Sequence, residues 1–219
     1  MKIYDDFEQR SQKWFEIKKL HLSASHATAI RANGKGLETY VKDLVREYYS
    51  SGVYEEFSDE LNNRHTARGN KFEDMARQIY ELETGYTVRQ VGFIEMSPHI
   101  GVSPDGLINK NGLIEIKCMG DKRFYEYLTS EKIDSDHYNQ MQMQLYVTKR
   151  KWVDYFVFNP NFTPNYIKVR VTPDMEAIMQ IKAGLEKGEQ LLLAELEKVK
   201  GKLEPNIQSD MSETAEKVG

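Results

Sequence analysis

The chain has 219 residues, of which 29% are charged and 40% hydrophobic, and a formal net charge of −4 at pH 7. That length supports one sizeable domain with a real core, and that composition is ordinary for a globular protein and argues against disorder. No run approaches the roughly 18 apolar residues of a membrane span, and the single cysteine, Cys118, excludes both an intramolecular disulfide and a four-cysteine metal or iron–sulfur site.

In chain order, the acidic start Met1–Asp6 has no signal-like apolar core, so a cytoplasmic location is expected. Asp5 or Asp6 is placed to cap a first helix through Lys18, with Phe7, Trp14, Phe15 and Ile17 as its apolar contacts. Ser23 caps a short helix carrying Ala24, Ala27 and Ile30, which Asn33-Gly34-Lys35-Gly36 breaks. Helical spacing of Tyr40, Val41, Leu44, Val45 and Tyr48 predicts a helix over 37–49. Another is predicted over about 64–82, with Phe72, Met75, Ile79 and Leu82 on its core side. The N-terminal third is therefore mostly helical.

From Tyr86 the pattern changes. Strands are predicted over 87–96, 101–108, 112–118, 152–158 and 166–171, with helices over 123–128 and 138–147. Pro173-Asp174 opens a long final helix with Ile178, Ile181, Leu185, Leu192 and Leu196 at helical spacing. Beyond Pro205 the chain turns polar and acidic, which predicts a mobile tail over 205–219. With no repeat and no linker, residues 1–204 read as one α/β domain.

The chemistry concentrates in Ser103-Pro104-Asp105-Gly106-Leu107 and Gly112-Leu113-Ile114-Glu115-Ile116-Lys117. The apolar run around Glu115 and Lys117 suits a strand buried on both faces, and their spacing of two puts both side chains on one of them. A hairpin turn near Asn109-Lys110-Asn111-Gly112 would bring Asp105 beside Glu115. Two carboxylates and an amine in one pocket suit Mg²⁺, with the Ile116 carbonyl as a further ligand, and that combination suits phosphodiester hydrolysis. Lys117 would orient the attacking water or neutralise developing charge. The plainer alternative is turn chemistry at Asp105-Gly106 and an ordinary ion pair between Glu115 and Lys117.

Supporting residues are less decisive. Gln142 shares a stripe with Tyr138, Met141, Leu145 and Tyr146, so its amide is expected to be buried, holding either a water or phosphate oxygen or local backbone groups. Gln140 and Gln144 read as solvated surface. Glu73 follows Arg68-Gly69-Asn70-Lys71-Phe72, where the helix dipole alone would favour a carboxylate. Lys18, Ser23 and Ser25 lie close to Trp14 and could form a phosphate pocket, although Ser23 could equally be a helix cap. The five histidines show no pairing at metal spacing. The net negative charge is unusual for a nucleic-acid enzyme, yet 30 Lys plus Arg suffice to line a local channel.

Taken in order and spacing, Trp14 with Ser23-Ala24-Ser25, Gly69 to Glu73, Ser103 to Leu107, Gly112 to Cys118 and Gln142-x-x-x-Tyr146 resemble the lambda-exonuclease family, the YqaJ-like viral recombinases of the PD-(D/E)xK superfamily. The resemblance implies a central mixed sheet flanked by helices. It implies Mg²⁺, or Mn²⁺ in its place, on Asp105, Glu115 and the Ile116 carbonyl, Lys117 assisting the water, and Glu73 and Gln142 completing the active site. Lys18, Ser23, Ser25 and Ser103 would match a pocket for a terminal 5′-phosphate, with Lys18 where the best-known member has arginine. It further implies an exonuclease that degrades the 5′-ended strand of linear duplex DNA and leaves a 3′ tail. Its members look like homotrimers and work with a single-strand annealing protein. An endonuclease of the same superfamily and a non-catalytic DNA-end-binding scaffold are the alternatives.

Overall fold

Asn111-Gly112 and Gly120 bound the apolar run that becomes the central strand of the larger sheet. In a computed structural model describing residues 1–50, 60–130 and 132–216, Gly112–Cys118 forms strand β7. Five strands make the larger sheet: β3 (Val88–Arg89), β6 (Gly106–Ile108), β7, β8 (Trp152–Phe158) and β9 (Tyr166–Val171), in the order β3-β6-β7-β8-β9. All neighbours are antiparallel except β7 and β8, so the sheet is mixed. A smaller sheet has the order β1-β4-β5-β2, from β1 (Lys2–Tyr4), β2 (Leu22–Ser23), β4 (Phe93–Ser97) and β5 (Ile100–Val102).

Seven α-helices among the described residues flank these sheets: α1 (Gln12–Lys18), α2 (Ala27–Ala32), α3 (Lys35–Tyr49), α4 (Glu60–Thr84), α5 (Asp121–Ser130), α6 (Ser135–Thr148) and α7 (Met175–Glu216). The face of β7 that carries Ile114 and Ile116 packs with Phe156 and Phe158 of β8 against Ala76 and Tyr80 of α4. Leu113, with Val153, Tyr155 and Val157, belongs to the larger core shared with α2, α3, α6 and α7. Helix α7 lies so close to α2 that a Cβ on Gly184 would stand 1.8 Å from the Ile30 carbonyl oxygen, so only glycine permits this backbone approach.

Several expectations change. The first helix starts at Gln12, not beside Asp5 or Asp6, because Ser11 caps it by accepting the Trp14 N–H at 3.2 Å and Arg10 before it is left-handed at φ 67°. Each of the strands predicted over 87–96 and 101–108 is two strands. Gln90-Val91-Gly92 and Ser103-Pro104-Asp105 cross from one sheet to the other, since proline cannot continue a ladder. On α4, Met75 and Leu82 are 45% and 84% exposed while Ala76 and Tyr80 face the core. Asp174 caps α7 through the Glu176 and Ala177 N–H groups, and the helix runs to Glu216, within the 205–219 segment. Residues 217–219 of that segment lie outside the described residues. Cys118 is half-buried and packs on the Ile114 and Ile116 side of the sheet. No helix among the described residues is long and apolar enough to cross a membrane.

Candidate active site

The hairpin register builds the site. Pairing Gly106 with Ile114 and Ile108 with Gly112 places Asp105, just before β6, across from Glu115, and its Oδ2 accepts the Ile116 N–H at 2.6 Å. Because β6 has not yet begun at Asp105, this edge of β7 is open. The N–H and C=O of a strand residue point the same way, so the Ile116 carbonyl faces that open edge too.

Glu115 and Lys117 project together from one face of β7, and Lys117 Nζ donates to Glu115 Oε1 at 2.7 Å. Glu115 is only 2% exposed, so a charge there needs further partners. They come from α6: Gln140 Nε2 donates to Oε1 at 2.8 Å, and Gln144 Nε2 donates to Oε2 at 2.7 Å. Lys117 Nζ also donates to Gln140 Oε1 at 3.2 Å. Two glutamines thus lock the carboxylate and ammonium into one geometry.

Removal from water, with Glu115 and Glu73 close by, holds the Asp105 carboxyl well above the usual carboxylate range. Burial pulls Lys117 down, but Glu115, Asp105 and Glu73 outweigh it and raise its pKa, so the side chain stays an ammonium. It can therefore donate hydrogen bonds to a water or phosphate oxygen but cannot take a proton. Among the described residues no three His, Cys, Asp or Glu side chains stand together as a metal cage. The donors that do converge, two carboxylates and a strand-edge carbonyl, are hard oxygens of the kind Mg²⁺ takes while keeping several waters. The mutual repulsion recorded at Asp105 is what such a cation would relieve, so the residues fit it.

Glu73 lies well inside α4, which rules out the helix dipole as its reason. It lines, with Arg10, the same cavity of about 200 Å³ as Asp105, Glu115, Ile116, Lys117 and Gln140. Lys18, Ser23, Ser25 and Ser103 line that cavity as well. Lys18 Nζ sits 4.4 Å from the Trp14 ring centre, and burial lowers its pKa. Ser23 makes no side-chain cap; its Oγ stands 3.0 Å from Ser25 Oγ and 3.2 Å from the Tyr40 hydroxyl. Ser103 Oγ donates to the Gly92 carbonyl at 2.9 Å and accepts from Trp14 Nε1 at 2.9 Å, so its proton is spent on the pocket wall.

Gln142 is the correction. It is fully buried, but its Nε2 donates to the Thr172 carbonyl at 3.0 Å and its Oε1 accepts the Asp174 N–H at 2.8 Å, tying α6 to the start of α7. The glutamines at the carboxylate are Gln140 and Gln144, which the sequence reading assigned to the surface. Helix α6 buries nearly its whole circumference, so an apolar stripe could not say which glutamine faces β7. The signal that was present is their spacing of four, which puts both on one helix face. Replacing Gln144 by Leu should lower the nuclease activity expected of this site by about 10–100-fold, as loss of a group that orients a ligand does. Replacing Gln142 by Leu should instead cost stability, about 1–3 kcal/mol, with turnover of the folded enzyme retained. Parallel activity assays and urea melts of the two variants check this; a reversed pattern would refute the assignment.

The YqaJ-like viral recombinase domain family matches residues 13–151. An alkaline exonuclease from Laribacter hongkongensis has a similar structure, at 27% identity and a TM-score of 0.78, covering 89% of this chain and 99% of that one. Its complex with dAMP aligns at 28% identity and 0.77, over the same shares. A phage-related exonuclease from Haemophilus somnus 129PT, 14% identical with a TM-score of 0.60, covers 82% and 96% and shares the fold. An uncharacterized protein of Acanthamoeba polyphaga mimivirus is 27% identical over 71% of this chain, and the chain spans 30% of that curated relative's length.

Proposed function

Because the chain belongs to the YqaJ-like viral recombinase domain family, we propose that it is a nuclease of recombination, a Mg²⁺-dependent exonuclease that degrades the 5′-ended strand of linear duplex DNA, leaving a 3′ single-stranded tail. The observation that carries this reading is one cavity lined at once by Asp105, Glu115 and Lys117 and by Lys18, Ser23, Ser25 and Ser103. A phosphate held on Lys18, Ser23 and Ser25, against the wall that Ser103 and Trp14 build, would sit beside the carboxylates that flank the scissile phosphate. Cleavage is then measured from a strand end.

Asp105, Glu115 and the Ile116 carbonyl would hold Mg²⁺, with Mn²⁺ as the alternative ion, and the metal would polarise the scissile phosphate and supply a water of lowered pKa. Lys117, kept charged by its carboxylate neighbours, orients that water and stabilises charge developing on the phosphate. Gln140 and Gln144 keep Glu115 aimed at the cavity. Glu73 adds negative charge beside Asp105. Family resemblance is the support for assembly as a homotrimer around DNA, for a single-strand annealing protein as partner, and for action in the host cytoplasm.

The test is digestion of linear 5′-phosphorylated duplex beside closed circular DNA, with Mg²⁺ and with EDTA, following separately labelled ends. Mg²⁺-dependent release of the 5′ label as mononucleotides from linear DNA alone is expected. Cutting of the circle would replace the reading with an endonuclease, and end binding without a product would replace it with a scaffold.

A further inference from the structure

A second cavity, of about 680 Å³, opens between α1 and α3 and meets the first at Trp14, Lys18 and Ser23. Those three residues belong to the phosphate end of the first cavity, and neither Asp105, Glu115 nor Lys117 lines the second. The second cavity therefore lies beyond the phosphate pocket, on the side away from the carboxylates. A pocket that takes only a terminal phosphate needs no space behind it. This one has space of the size that holds a small organic group.

The walls of that space suit a flat ring. The His26 ring stacks on that of Tyr40 at 3.9 Å with 11° between the planes, and His26 remains exposed. His26 Nδ1 lies 3.2 Å from Ser25 Oγ, and the Tyr40 hydroxyl lies 3.2 Å from Ser23 Oγ, so this stack is hydrogen-bonded to both serines of the phosphate pocket. Phe15 and Tyr48 line the same cavity while staying 55% and 46% exposed. Phe15 packs edge-on against Trp14 at 4.9 Å, and Lys18 sits over the Trp14 ring at the junction. Exposed aromatic rings beside a backbone-binding cation hold unpaired bases without regard to sequence, because every base has a face to stack.

We propose that the second cavity is a subsite for one unpaired 5′-terminal nucleotide. Its base stacks among Phe15, His26 and Tyr48, while the phosphate on its 3′ side fills the pocket that a terminal 5′-phosphate otherwise takes. The strand then sits one nucleotide further in, and the carboxylates meet the bond after its second nucleotide. The hydroxyl of the attacking water goes to that phosphorus and its proton to the departing 3′ oxygen. The first product is a dinucleotide with a free 3′-hydroxyl, and the shortened strand keeps a 5′-phosphate. An overhanging end is thus trimmed with no phosphate at its tip. The inference rests on the nuclease reading of the first cavity.

The test is single-turnover digestion with Mg²⁺ of three linear duplexes: blunt with a 5′-phosphate, blunt with a 5′-hydroxyl, and bearing a one-nucleotide 5′ overhang that ends in a hydroxyl. Mass spectrometry identifies each first product. A mononucleotide is expected from the first, little product from the second, and a dinucleoside monophosphate from the third. Phe15→Ala and Tyr48→Ala should each slow the third reaction about tenfold, the worth of stacking one base, and leave the first unchanged. Release of a single nucleoside from the overhang, or cleavage of the overhang no faster than of the blunt hydroxyl end, would overturn the inference. So would an equal loss on the first and third substrates in both variants, with thermal melts confirming that each is folded. A wild-type protein that fails to cut the blunt 5′-phosphorylated duplex would overturn the nuclease reading itself, which is a separate result.

Discussion

Asp105→Asn should reduce Mg²⁺-dependent cleavage of linear duplex DNA on the order of 10³-fold or more, with DNA-end binding largely intact. The substitution keeps the shape of the side chain and an oxygen that can still accept the Ile116 N–H, so the hairpin has no reason to move. What it removes is one negative oxygen ligand from a set that has few, and with it the placement of a metal-polarised water. The same change should leave the metal-free protein as stable as the wild type or more so. Asp105 is removed from water beside Glu115 and Glu73, and its charge is what the fold tolerates for function. Single-turnover cleavage and thermal melts of the two proteins, with and without Mg²⁺, read both effects. Normal turnover in Asp105→Asn would sink the proposed mechanism.

Asp154→Ala should destabilise the protein by about 3 kcal/mol, a drop in melting temperature of roughly 6–12 °C for a chain of this size. Asp154 is fully buried on β8. Its Oδ1 and Oδ2 take the Arg170 Nε and a terminal nitrogen at 2.7 and 2.8 Å, and the Tyr80 hydroxyl donates to Oδ2 at 2.7 Å. Removing the carboxylate strands the Tyr80 hydroxyl in the core, where an unpaired donor costs most. Arg170 suffers less because it is 42% exposed and lies on the Trp152 ring at 3.7 Å, which keeps the total below the upper range for a broken buried pair. The carboxylate and Tyr80 join α4 to the sheet, and α4 carries Glu73, so stability and site geometry are linked through this one residue. Urea melts measure the loss; a change under 1 kcal/mol would show that the network contributes little.

Much of this was legible in the sequence, and the particular elements say why. The bounds of β7, β8 and β9 coincide with the predicted 112–118, 152–158 and 166–171, because each is a continuous apolar or alternating run closed off by turn-forming residues. The juxtaposition of Asp105, Glu115 and Lys117 was legible for the same reason: a short hairpin and a period of two leave almost no freedom. The ends of β3, β4, β5 and β6 were not. Whether 101–108 is one strand or two depends on which sheet each half joins, and the residues on both sides of Pro104 have the same strand character.

Local rules fix what depends on neighbours a few residues apart, so the sequence by itself determined the strand that carries the site, the turn that folds Asp105 back onto it, and the single-cysteine, carboxylate-based chemistry. The tertiary structure decided which glutamines serve the site and which cation approaches it. Gln140, Gln142 and Gln144 are chemically identical, and only the positions of β7 on one side of α6 and the start of α7 on the other assign two to Glu115 and one to the backbone. Arg10 reaches the carboxylates because Gln9 bonds to a carbonyl 95 positions away in the chain. Contacts at that separation are set by packing, and no local pattern in the sequence encodes them.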